Sequence, residues 1–115
     1  MLSPEKRQRN QDTLGSLLKA ARLRRGFTQK ELADAVGLEY YTMISQLELG
    51  YISVPPALWV PLGVALRENI EEFVTICLLE IQPEVYTALF GDVPPSEVAR
   101  SLSKLKEEHK LVKQK

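Results

Sequence analysis

Residues 28–50 read TQKELADAVGLEYYTMISQLELG, and this stretch decides the fold. Thr28 followed three residues later by Glu31 is a capping box, in which each side chain satisfies a backbone N–H that the first helical turn leaves open. Phe27 and Leu32 occupy the hydrophobic-staple positions around it. The pattern predicts a short helix from Gln29 to Val36, stopped by Gly37. A second helix is predicted from about Tyr40 to Leu49, stopped by Gly50, with Ile44 and Leu47 inward and Tyr40 or Met43 in support. Leu32, Ala33 and Ala35 give the first helix of the pair a small face that a crossing helix can approach closely. Two short helices joined by a tight Gly-containing turn are the outline of a helix-turn-helix. The second helix keeps its apolar residues to one side and leaves Tyr41, Thr42, Ser45 and Gln46 free to meet base edges in a major groove.

Upstream, Leu14, Leu17, Leu18 and Ala21 recur at helical spacing and predict a helix from about Asp12 to Arg25, with Gly26 at its C-terminal cap. Downstream, Pro55 and Pro56 open a fourth helix reaching to about Asn69, with Trp59, Leu62, Ala65 and Leu66 inward. Pro61 predicts a kink or a late start there. A fifth helix is expected over Ile70–Ile81, a sixth from Pro83 to before Gly91, and a last one over about Ser96–Val112. Val98, Leu102, Leu105, His109 and Val112 form a seam two heptads long, which reads equally as a short coiled coil or as the apolar side of a solvated tail helix. No segment reads as strand. The Leu/Ile/Val-rich run 70–79 is too apolar for one exposed helix and needs a covering surface.

Through LLKAARLRRGF at 17–27, the stretch 28–50 and the Pro-led fourth helix, residues 14 to about 69, the chain resembles the Xre/Cro-like family of phage repressors and bacterial regulators. The match falls on Thr28, Gln29, Glu31, Leu32, Ala33, Gly37, Ile44, Ser45, Leu47, Glu48 and Gly50. The resemblance implies an all-α fold: a five-helix lambda-repressor-like domain over residues 12–69 with a helical extension over 70–115. It also implies a sequence-specific regulator of transcription that binds double-stranded DNA. Tyr41, Thr42, Ser45 and Gln46 fall where the family reads bases. Gln29 and Tyr40 fall where phosphates are met, with Lys19, Arg24, Arg25 and Lys30 as further phosphate candidates. Arg22 and Glu48 fall where the family has an ion pair between the first helix and the end of the recognition helix. Between Gly37 and Ile44 this chain has one residue more than the usual spacing, so either the turn is longer or the recognition helix starts differently.

A homodimer on a palindromic operator is expected, because one helix-turn-helix covers few bases. Repression is the default reading. The alternative from the same resemblance is an antitoxin, which binds DNA and a toxin protein. Charge is unevenly spread around a net of zero. Residues 1–30 carry eight Lys/Arg against two acids, 52–92 one against six, and 93–115 six against three. The acidic middle is then a protein-facing surface, and Lys6, Arg7 and Arg9 a basic arm or a loose tail. No apolar run reaches membrane length, the first residues do not read as a signal peptide, and the lone Cys77 suits a reducing cytoplasm as a buried structural thiol. An enzyme is not expected. The one histidine, His109, lies in a charged tail helix, no Cys/His cluster offers metal-ligand spacing, no Gly-rich loop cradles phosphate, Glu71 and Glu72 are an ordinary surface pair, and no cofactor is called for.

Overall fold

A computed structural model describes residues 4–114, with side chains described for residues 14–110. Among the described residues there are seven helices and no strand: α1 (Pro4–Arg25), α2 (Gln29–Ala35), α3 (Thr42–Leu49), α4 (Pro56–Ala65), α5 (Ile70–Ile81), α6 (Pro83–Phe90) and α7 (Pro95–Gln114). The chain divides into two compact units, 1–68 and 69–115. Helices α1–α4 fall in the first and α5–α7 in the second, so five helices are not gathered in one unit.

In the first unit, α3 packs on α1 and on α2. Leu14, Leu18 and Ala21 of α1, Leu32 and Ala33 of α2, and Ile44 and Leu47 of α3 are buried. Burial of a side chain such as Ile44 or Leu47 stabilises by about 1.5–3 kcal/mol, enough to hold an eight-residue helix that would not persist alone in water. Leu17, expected among the inward residues, is 42% exposed. Gly15, to which the sequence pattern drew no attention, sits where α1 meets α3. A Cβ there would lie 2.7 Å from the Leu47 carbonyl oxygen.

Three boundaries differ from expectation. α1 starts at Pro4, eight residues before Asp12, because the polar run between them is compatible with helix and Pro suits a first turn. The side chains of Lys6, Arg7 and Arg9 lie outside the described residues. α4 starts at Pro56 and runs through Pro61, with no late start. It ends at Ala65, four residues short of Asn69, because Asn69 already caps the next helix, its side chain accepting from the Glu72 N–H at 2.8 Å. Trp59 is buried, and its indole N–H donates to the Val54 carbonyl at 2.9 Å.

In the second unit, α5 packs on α6 and α7. This accounts for much of the apolar run 70–79: Phe73, Thr75 and Cys77 are buried. The thiol of Cys77 is pushed up to about 12 by burial, the behaviour of a structural cysteine. α7 is not a free tail helix. Its Val98 and Ala99 are buried, whereas Leu105, farther along the expected seam, is 60% exposed. His109 is exposed, and the side chain of Val112 lies outside the described residues. Lys106 of α7 reaches Glu71 of α5 at 2.7 Å. The Tyr86 hydroxyl donates to the Val93 carbonyl, and its ring meets Phe90 edge-on at 5.2 Å, fixing α6 against the turn that follows it.

Candidate nucleic-acid interface

The capping box at the start of α2 is formed: the Glu31 N–H donates to Thr28 Oγ1 at 3.0 Å and the Thr28 N–H to Glu31 Oε1 at 2.9 Å. These bonds hold the Glu31 carboxyl below its ordinary value. At the other end of α2, Gly37 takes a φ of 78° that an L side chain adopts only under strain, and its N–H and that of Leu38 close the helix on the Asp34 and Ala33 carbonyls. The turn then runs to Tyr41. Its backbone carbonyl accepts from the Ser45 N–H at 3.2 Å and starts α3 at Thr42. The residues between Gly37 and Thr42 therefore belong to the turn, and Tyr40 precedes α3 instead of opening it.

α3 has two sides. Ile44 and Leu47 face the core, while Thr42, Gln46 and Leu49 are exposed and Ser45 is half-buried. Tyr40 and Tyr41, 67% and 52% exposed, stand at the N-terminal end of that outer face. Exposed Glu39 precedes them, an acid that would repel a nearby phosphate.

Glu48 anchors the inner side. Its carboxylate accepts from Arg22 Nε at 2.6 Å and Arg22 Nη2 at 3.1 Å, and from Gln29 Nε2 at 3.1 Å. Arg22 Nη1 donates to the Phe27 carbonyl at 2.9 Å. The Arg22–Glu48 pair thus ties α1, the loop before α2, and α2 to the end of α3. Gln29 keeps a second amide N–H beyond the one held by Glu48.

The basic candidates separate. Lys19 and Lys30 are exposed. Arg24 is paired with Glu68 at 3.0 Å. The Arg25 guanidinium lies over the Phe27 ring at 4.7 Å. Arg24 and Arg25 line one cleft together with Leu66, Arg67 and Glu68 at the end of α4. The sequence offered no signal for that gathering, since residues 21–25 and 66–68 are brought together only by the fold.

Among the described residues no group of His, Cys, Asp and Glu has the makings of a metal site. No described helix is long and apolar enough to cross a membrane. What the first unit offers is a short rigid helix with a polar outer face, held at three points from behind. That arrangement can present hydrogen-bonding groups to a groove.

Residues 18–73 match the helix-turn-helix family model of the Xre/lambda-repressor-like kind. No curated protein and no solved structure matches the chain.

Proposed function

We propose that this chain, which carries a DNA-binding helix-turn-helix of the Xre/lambda-repressor-like family over residues 18–73, is a sequence-specific transcriptional regulator acting as a homodimer on a palindromic operator. The observation that carries the reading is the division of α3: an outer face of Thr42 and Gln46 with Tyr41 at its head, over an inner face fixed by Ile44, Leu47 and the Arg22–Glu48 pair. Gln46 reads a base, a bidentate contact to adenine being the geometry its amide favours. Thr42, Ser45 and Tyr41 supply the neighbouring contacts. Lys19, Lys30, Tyr40 and the remaining N–H of Gln29 hold phosphates. Arg24 and Arg25, already engaged by Glu68 and Phe27, contribute less to that surface than the exposed lysines do.

The second unit supports a protein partner. Leu89 and Leu105 are 64% and 60% exposed and border an apolar groove between α6 and α7 that also includes Phe90 and Leu102. A second copy of the chain is the occupant that a twofold operator requires. Repression by occupancy of the operator follows as the mode of action. A toxin seated in the same groove is the alternative partner.

The test is binding of the purified chain to duplexes drawn from upstream of its own gene, with random DNA as competitor, at two salt concentrations. Gln46→Ala should lose about 1–3 kcal/mol of discrimination between the preferred site and a base-pair variant. Lys30→Ala should weaken all duplexes alike and lower the salt slope by about one. Equal binding of every duplex by the unaltered chain would remove the sequence-specific reading.

A further inference from the structure

The C-terminal ends of α1 and α4 enclose a cleft of about 370 Å³ lined by Ala21, Arg24, Arg25, Leu66, Arg67 and Glu68. Three arginines and one glutamate line it, and Arg24 Nη2 donates to the Glu68 carboxylate at 3.0 Å. Two further observations mark the cleft as more than a solvated surface dip.

The first is the backbone of Arg67. α4 closes with the Arg67 N–H on the Val64 carbonyl at 3.1 Å and the Glu68 N–H on the Gly63 carbonyl at 3.0 Å. This closure needs a left-handed residue, and α1, α2 and α3 use Gly26, Gly37 and Gly50 for it at φ 79°, 78° and 77°. α4 alone among the four uses a residue with a side chain, Arg67 at φ 56°. An L residue is sterically penalised in that conformation, and such strain persists where the side chain serves a purpose. The second is Arg25, whose Nε is buried with no hydrogen-bond partner among the described residues. Its stacking on Phe27 engages the face of the guanidinium and leaves the in-plane N–H groups to find an acceptor. Arg24 gives Nη2 to Glu68 and keeps its other donors.

We infer that this cleft binds a small phosphate-bearing anion of two or more negative charges, of the pyrophosphate or nucleotide-polyphosphate class. Guanidinium forks match phosphate oxygens in pairs. Neutralising three cations already offset by one carboxylate takes two negative charges, whereas each phosphate of a duplex backbone brings one. The volume is at the lower end of small-molecule sites and exceeds what a lone phosphate fills. The site is separate from the outer face of α3 and stands whether or not that face reads bases.

The experiment is isothermal titration of the full chain with sodium pyrophosphate at constant ionic strength, beside Arg67→Gly and Glu68→Gln. Arg67→Gly removes the cation and relieves the backbone, so it should fold at least as well by thermal melting. It should bind pyrophosphate about tenfold more weakly, as expected for loss of one charge-assisted contact. Glu68→Gln should bind more tightly than the unaltered chain. No saturable heat with the unaltered chain, or an Arg67→Gly variant that binds as well, overturns the assignment. So does a silent titration with Arg67→Gly weakening every duplex alike, which would mean that the cleft holds a backbone phosphate of DNA.

Discussion

Arg22 and Glu48, 26 residues apart in the chain, meet through two nitrogen–oxygen contacts inside the first unit, with their side chains 9% and 4% exposed. A buried ion pair is weak evidence for net stability, because desolvation offsets most of the attraction, but removing one partner strands the other. Arg22→Ala or Glu48→Ala should therefore lower the unfolding free energy by about 3–5 kcal/mol. The double replacement Arg22→Met with Glu48→Leu should recover most of that loss, since it leaves no buried charge. Urea unfolding of the four proteins checks this. A double variant as unstable as the sum of the singles would show that the pair is a net stabiliser.

Gly15 sets how closely α1 and α3 approach. In Gly15→Ala the new Cβ would meet the Leu47 carbonyl oxygen at 2.7 Å and the Glu48 carbonyl carbon at 2.9 Å, and backbone atoms cannot rotate away. Alanine raises helix propensity by about 1 kcal/mol over glycine, yet overpacking of about 1–3 kcal/mol should exceed it. The variant is expected to melt lower than the unaltered chain and, because α3 must shift, to bind duplex DNA less tightly. The exposed neighbour Ser16 is the control, and Ser16→Ala should change neither property.

The helix-turn-helix was legible because its signals are local. The Thr28–Glu31 box and Gly37 each act within a few residues, and both took the geometry expected of them. The end of α4 was missed although a local signal existed: Asn69 with Glu72 is an N-cap pattern, and the apolar run through Leu66 hid it. Arg67 could not have been read as left-handed, since nothing but the fold forces a non-glycine residue into that conformation. For α7 the spacing of Val98, Leu102 and Leu105 identified an apolar side correctly but not what it faces. Periodicity alone cannot separate a partner chain from a neighbouring helix, and α5 covers the first part of the seam while the latter part stays open.

Glu71 and Glu80, two of the three carboxylates of α5, should respond to pH in opposite senses. The Lys106 ammonium beside Glu71 holds that carboxyl below its ordinary value of 4.5. Its contribution is therefore complete above 4.5 and is lost as the pH falls through the lowered folded value. Burial pushes Glu80 up, so its contribution is present at low pH and is lost as the pH rises through the raised folded value. Glu71→Gln should flatten the acid side of the stability profile, and Glu80→Gln should raise stability at neutral pH. Thermal melts from pH 3 to pH 7 separate them. An unchanged acid limb in Glu71→Gln would mean that the Lys106 contact does not hold in solution.

Leu89 and Leu105 give the most direct test of the proposed dimer, because both are already more than half exposed on one copy of the chain. Replacing them with glutamate removes little packing within the second unit, so each variant should melt close to the unaltered protein. Two carboxylates facing an apolar partner surface would each lose hydration without a compensating charge. Leu89→Glu with Leu105→Glu should therefore sediment as a monomer at concentrations where the unaltered chain is a dimer. It should also lose the preference for a palindrome over an isolated half-site while keeping contact with each half-site through α3. A double variant that still sediments as a dimer would place the interface elsewhere. Exposed Val60 and Val64 of α4, one helical turn apart, would then be the next pair to change.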